Sequence, residues 1–363
     1  MSTGRTVSFT RGVPPTDAFP VEEVAECAGA ILRQDPAVLL QYGKSAGYLP
    51  LRQWIAEANG RGVDDVLISN GSLQILEFLS QALLNPNDVV FVEAPTYDRA
   101  ITIFRRRQAR VVGIPLQNDG VDLDAFEQAL RQEKPRLFYV IPDFQNPSGA
   151  TTGLVKRRRL AELAEQHGFW LVEDVPYRLL RYYGEFEPTL LSMAPGRVLQ
   201  LSSFSKLLSP GIRSGYVLGP AEVIARLAKV AEDTYITPVL PTQGIVYEYC
   251  RRGHLERNLP RLRDLYRPKL EATLAALARE LPEAHWMQPD GGYYVGVNLP
   301  GDLGSQTLLK RAAEAGLVLT DGNGFFPEKP AAAFVRIPFC GITISEVEEG
   351  VARLARVYRE LRR

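Results

Sequence analysis

Ser203-Phe204-Ser205-Lys206-Leu207-Leu208-Ser209-Pro210-Gly211-Ile212-Arg213 follows residues 198–201, a short apolar run that reads as a buried strand. A lysine just past such a strand, set among serines and an arginine, suits a covalent site for an aldehyde. Its amine can condense with a cofactor aldehyde, while Ser203, Ser205 and Arg213 can hold a phosphate. Pro210-Gly211 forces a turn and Arg213 falls seven residues after Lys206, so both side chains can face one pocket. A lone lysine in a serine-rich turn is usually just solvated. The full Ser-x-Ser-Lys-x-x-x-Pro-Gly-x-Arg pattern is far more specific.

Outward from this stretch the chain alternates strand and helix. Strands are predicted over 66–69, 89–93, 111–114, 137–141, 169–173 and 198–201, with 216–218 as an antiparallel candidate. Helices fall between them over 72–84, 97–108, 123–131 and 154–167. That alternation predicts an α/β fold, a mostly parallel seven-stranded sheet between helices. In such sheets ligands gather at the carboxyl ends of the strands. Before it come a short strand near 7–10, a turn at Arg11-Gly12-Val13-Pro14-Pro15, and helices over 21–32 and 50–59. After about 220 the chain turns helical (221–232, 243–252, 254–280). Strands at 293–297, 317–319 and 333–337 and a closing helix at 345–361 then suggest a small α+β domain. The expected division is an N-terminal segment 1–43, a large domain 44–250 and a small domain 251–363.

Lys plus Arg equals Asp plus Glu at 42 each, so the whole chain carries no basic footprint for nucleic acid. The local runs Arg105-Arg106-Arg107 and Lys156-Arg157-Arg158-Arg159 fall in helical stretches and read as solvated faces. Cys27, Cys250 and Cys340 lack metal or redox spacing and read as reduced, mostly buried thiols, as in a cytoplasm. No metal site is expected. The polar stretch 1–10 lacks the apolar core of a signal peptide, and no run approaches membrane-spanning length. A cytoplasmic protein with no membrane partner is the expectation.

Strand-end residues add chemistry to the lysine. Gly71-Ser72-Leu73 opens a helix, where free N–H groups and the positive dipole end suit a phosphate. Glu93-Ala94-Pro95-Thr96-Tyr97, Asn146-Pro147-Ser148-Gly149, Asp174 with Tyr177, and Arg336 in an apolar strand complete the pattern. Together these segments resemble the class I/II aminotransferases, fold-type I enzymes that use pyridoxal 5′-phosphate (PLP). The resemblance runs from Ser8 to the final helix. It looks most like the branch of 2-aminoadipate and aromatic or kynurenine-type aminotransferases, with the related effector domains of MocR-type regulators.

The resemblance implies a role for each residue. Gly71, Ser72 and Leu73 would meet the cofactor phosphate, Tyr97 would stack on the pyridine ring, and Asn146 and Tyr177 would donate to its phenolic oxygen. Asp174 lies 28 residues past Asn146 and 32 before Lys206, where the family places the partner of the pyridine nitrogen. Lys206 would be both covalent anchor and general acid/base, with Asp174 and Tyr177 catalytic beside it. Arg336, with Asn146, would bind the substrate α-carboxylate as a planar fork. Tyr42, in the loop Gln41-Tyr42-Gly43-Lys44-Ser45-Ala46-Gly47-Tyr48, would reach a neighbour's cofactor phosphate across a homodimer. Arg11 and Gly12 would belong to a mobile substrate lid, Arg11 either pairing with an acidic side chain or simply solvated. The stretch before the first strand is short for the family, which is expected to alter the dimer or the lid, and it leaves no room for a winged-helix domain. The implied activity moves an amino group between an L-amino acid (glutamate, 2-aminoadipate, aromatic or branched-chain) and a 2-oxo acid such as 2-oxoglutarate. A PLP lyase, decarboxylase or synthase, or a non-catalytic PLP-binding effector module, remains open on the sequence.

Overall fold

Period-two alternation in the central strands assigns their side chains to two different cores. In the computed structural model, which describes residues 6–301 and 303–362, Val90, Val92, Leu137, Tyr139, Leu199 and Leu201 pack into one apolar cluster. Phe91, Phe138, Val140 and Val198 pack into another. Strands buried on both faces need helices on both. Ser72–Leu83, Asp98–Arg106 and Ala221–Tyr235 cover the first face, and Leu123–Gln132 and Leu154–His167 the second. The expectations for residues 1–5, at the start of the N-terminal segment, and for 302 and 363 in the small domain lie outside the described residues.

The strands run β1 (Val7–Phe9), β2 (Val66–Ser69), β3 (Val89–Ala94), β4 (Arg110–Gln117), β5 (Gly120–Val121), β6 (Pro135–Val140), β7 (Trp170–Asp174), β8 (Val198–Ser203) and β9 (Gly215–Leu218). All but β1 form one eight-stranded sheet, in the order β2-β9-β8-β7-β6-β3-β4-β5. From β8 across to β4 the strands are parallel, while β9 is antiparallel to β8 and β2. The eighth strand, beyond the seven expected, is β5. It is a two-residue return against β4, too short to leave a periodic signal.

β10 (His285–Trp286), β11 (Tyr294–Leu299), β12 (Leu317–Leu319) and β13 (Ala333–Pro338) follow. β10, β11 and β13 form an antiparallel sheet. β12 does not join them; it pairs in parallel with β1, Val7 opposite Leu317 and Phe9 opposite Leu319. The reason lies in β1, whose Val7 and Phe9 are buried against the closing helix Ile344–Leu361 while Ser8 points outward. The helix Val21–Gln34 then packs on Leu240–Arg251, so the N-terminal segment touches both halves of the chain.

The basic run 156–159 departs from the solvated face expected of it. Arg157 is fully enclosed, paired with Asp143 at 2.8 Å and donating to the carbonyls of Thr152 and Pro142. Arg178 reaches the other Asp143 oxygen at 2.9 Å. Lys156 is buried too, bonded to Gln117 and Asp119. A charge this deep is tolerable only when paired and hydrogen-bonded, and here the pairing pins the loop that carries Asn146. Cys27, Cys250 and Cys340 are buried free thiols. No described helix is long and apolar enough to cross a membrane.

Candidate active site

Because β3, β6, β7 and β8 are parallel, their carboxyl ends open on one side, and residues on or just beyond them line a cavity of about 230 Å³. β3 contributes Tyr97, β6 Asn146, β7 Asp174 and Tyr177, and β8 Ser203, Ser205 and Lys206. Ser72 and Leu73, at the start of the helix after β2, and Arg213 close one end.

That end is built for an anion. Gly71 has φ of +104°, and a Cβ there would stand 2.4 Å from Arg213 Nη2, so only glycine fits both the backbone and the arginine. Arg213 itself adopts a left-handed conformation, φ 46°, and donates to the Asn70 carbonyl at 2.9 Å. The Ser203 and Ser205 hydroxyls meet at 2.9 Å. The free N–H groups of a helix start, two hydroxyls and a guanidinium thus converge.

At the middle of the cavity stand Asp174 and Lys206. Asp174, 7% exposed, accepts a hydrogen bond from Tyr139 Oη at 2.6 Å on Oδ2, while its buried Oδ1 has no partner among the described residues. Burial pushes its carboxyl up to about 6, with the Tyr139 bond opposing the rise. Burial also pulls the Lys206 amine below its ordinary range, and nearby Arg336 and Arg213 act in the same direction. Lys206 Nζ donates to the Gly12 carbonyl at 3.3 Å.

The opposite wall comes from β11 and β13. Arg336, 9% exposed and cross-strand from Gly296, donates through Nη1 to Asn146 Oδ1 at 3.0 Å and through Nη2 to the Thr10 carbonyl at 2.7 Å. Its guanidinium lies between the rings of Tyr294 (4.6 Å) and Phe325 (4.7 Å), and its buried Nε has no partner among the described residues. With Asn146 Oδ1 accepting from Arg336, the amide nitrogen is the end left to donate elsewhere. Gly12 presses on Tyr294, whose hydroxyl would be 2.2 Å from any added Cβ. Arg11 beside it is exposed. Tyr42 stands outside this cavity, 76% exposed, in a separate groove with Leu40 and Val239.

Three side chains of this site were not singled out from the sequence. Tyr294 follows Gly291-Gly292 on the strand paired with that of Arg336, a juxtaposition visible only once β11 and β13 are in register. Phe325 sits in a short 3₁₀ turn, Gly322–Phe325, with no periodic signal. Tyr139 lies in a strand whose alternation explains its ring but not its hydroxyl. Glu93, quoted as part of a motif, serves the frame. Buried, and pushed up to about 8 by that burial, it accepts from Ile141 N at 3.0 Å and Gln145 Nε2 at 3.1 Å, tying the Asn146 loop to β3.

This donor set fits pyridoxal phosphate. A buried carboxylate oxygen without a partner suits a ring nitrogen, an amine held below its usual range suits an aldehyde, and the convergent N–H, hydroxyl and guanidinium groups suit a phosphate. Comparison with known proteins agrees. The sequence model of the family "Aminotransferase class I and II" matches residues 5–354. The 2-aminoadipate transaminase of Thermus thermophilus is 38% identical over 362 residues, covering 98% of this chain and 90% of its own length. Aromatic-amino-acid aminotransferase 1 of Thermococcus litoralis is 33% identical over 373 residues, covering 99% and 89%. Among solved structures, the α-aminoadipate aminotransferase of Thermus thermophilus complexed with N-(5′-phosphopyridoxyl)-L-leucine superposes with a TM-score of 0.93 at 36% identity, covering 98% of this chain and 92% of that one. A fold-type I architecture, a lysine beyond β8 and a near full-length match together make this chain a PLP-dependent aminotransferase of the class I and II family.

Proposed function

We propose that this aminotransferase serves several amino donors, namely glutamate, 2-aminoadipate, aromatic and branched-chain amino acids, with 2-oxoglutarate as a principal acceptor. The observation that carries this reading is Arg336, a planar fork held against Tyr294 and Phe325, which would grip the carboxylate common to every candidate. Tyr294, which lines the cavity, gives apolar side chains a surface, while exposed Arg11 offers a cation to acidic ones. The names of the relatives, for 2-aminoadipate and for aromatic amino acids, support both halves.

Ser72, Leu73, Ser203, Ser205 and Arg213 would hold the phosphate, with Gly71 granting close approach. Asp174 would hold the ring nitrogen, Tyr97 the ring plane, and Asn146 and Tyr177 the phenolic oxygen. When bound, the cofactor supplies an electron sink for charge developing at the substrate α-carbon. Lys206, its amine held below the ordinary range by burial, would take the α-proton on Nζ and return it. Arg336 and Asn146 fix the carboxylate and so the direction of the bond to be broken. Residues 1–43 form an N-terminal segment that joins the small domain and the substrate lid, a reading supported by Arg336 and Lys206 holding the Thr10 and Gly12 carbonyls. Residues 44–250 form the large domain and 251–363 the small one.

The working unit in this reading is a homodimer in the cytoplasm. Tyr42 stands exposed in a groove with Leu40 and Val239, an apolar patch that a second copy would cover while Tyr42 reaches its phosphate. An active monomer in analytical ultracentrifugation would end the dimer reading. A panel of amino donors against 2-oxoglutarate tests the function: measurable kcat/KM for acidic, aromatic and branched donors is expected, and activity confined to one class would overturn it.

A further inference from the structure

Tyr139 is fully buried in β6 on the same sheet face as Val172, its register partner on β7. Asp174 lies two residues beyond that partner, and a strand side chain leaning along its strand covers the distance. The Oη-to-Oδ2 bond of 2.6 Å is the only hydrogen bond the phenol makes among the described residues. Its ring meets Phe104 edge-on at 6.0 Å within an apolar cluster. A phenylalanine would fill that space, so the hydroxyl exists for the carboxylate, since a buried O–H without a partner is costly. Tyr97, Tyr177, Lys206 and Arg213 share the cavity with Asp174, and Glu93 lies across the sheet near the phenol, yet no other described residue hydrogen-bonds to Asp174.

We propose that Tyr139 is a positioning residue for cofactor capture: its hydroxyl holds one Asp174 oxygen, keeps the group charged in an apolar wall, and leaves the other oxygen free for the ring nitrogen. The proposal rests on the reading of Asp174 given above. Two influences oppose each other at this carboxyl, burial favouring the neutral form and the phenol favouring the charged one. Removing the phenol hands the contest to burial.

The test is equilibrium loading of the full-length apoprotein with pyridoxal phosphate, followed by absorbance from about pH 5.5 to about 8.5. Three proteins are compared: the native chain, Tyr139→Phe, and a chain with 3-fluorotyrosine at position 139, a stronger donor of nearly the same shape. Native affinity weakens as pH falls through the range where Asp174 takes up a proton. In Tyr139→Phe that range moves up by about one pH unit and affinity near neutral pH falls about tenfold, whereas fluorotyrosine moves the range down. Lys206 and the phosphate titrate alike in all three, so the difference isolates Asp174. Phe104→Leu, which loosens the same packing, lowers Tm and leaves the range unmoved. Native affinity and an unmoved range in a folded Tyr139→Phe protein would overturn the proposal; if that variant does not fold, an unmoved range with fluorotyrosine overturns it alone. Asp174→Asn separates the two readings. Native loading by Asp174→Asn overturns the role of Asp174 itself, while weak loading by it beside an unchanged Tyr139→Phe overturns only the role of Tyr139.

Discussion

Asp174, Asn146 and Lys206 stand on or just beyond strands of a sheet packed on both faces, whereas Thr10, Arg11 and Gly12 hang from a three-residue strand paired with only one other. On the sheet side Asp174 and the Asn146 loop are held by buried partners: Tyr139 for Asp174, Arg157 and Glu93 for the Asn146 loop. On the other side the N-terminal carbonyls are held by the functional groups themselves, Arg336 and Lys206. The chemistry of the cofactor is therefore written into the core, where a shift of one side chain is felt by many. Under the proposed lid reading, selectivity falls to exposed Arg11 beside Gly12.

The largest effect expected on the sheet side is at Lys206. Lys206→Ala should lose the visible absorbance of bound cofactor and all turnover, with circular dichroism unchanged; turnover without added amine would move the anchor elsewhere. On the shared wall, Arg336→Lys keeps the charge but loses the fork. It should lower kcat/KM about 100-fold for every amino acid while cofactor affinity stays native. Loss for one class of donor alone would make Arg336 a reader of side chains instead.

Glu93 tests the frame without touching the cavity. Its carboxyl keeps a proton up to about 8 in the folded protein, against 4.5 for an ordinary glutamate. The folded state thus binds more protons than the unfolded one between those values, so stability falls as pH rises through that window. Glu93→Gln cannot titrate and still accepts from Ile141 N. It should flatten that slope and raise stability near pH 8 by up to roughly 4 kcal/mol. An unchanged slope in urea melts would contradict the assignment. The smallest effect belongs to the lid: Arg11→Ala should cost acidic donors about tenfold in kcat/KM, roughly 1.4 kcal/mol. Leucine and phenylalanine should be nearly unaffected. Equal losses would mean that Arg11 holds the segment and does not read the substrate.

The same divide governs what the sequence discloses. The two-faced strands and the residues after them could be located because short, nearly continuous apolar runs mark β3, β6, β7 and β8, and ligands gather at their ends. Gly71, Asn146, Asp174 and Lys206 are legible because the motifs that carry the family resemblance stand just after such runs. What could not be read depends on contacts between distant segments. The β1–β12 pairing joins residues about 310 apart, and burial of Arg157 depends on Asp143 in the loop before its helix. The clamp on Arg336 needs Tyr294 and Phe325 from separate elements, and neither carries a motif of its own. Tyr139 is legible as core and silent as chemistry, because alternation reports which face a ring lies on and not what its hydroxyl meets.

One measurement tests most directly that a core-built cofactor site serves amino-group transfer with an adaptable lid. The chain loaded with pyridoxal phosphate is mixed with a stoichiometric amino acid and its visible band is followed through a single turnover. With glutamate, 2-aminoadipate, leucine and phenylalanine in turn, the band should vanish, the matching 2-oxo acid should appear in equal amount, and 2-oxoglutarate should restore the band. A band that persists, or that falls with release of carbon dioxide or another fragment in place of the 2-oxo acid, would contradict it.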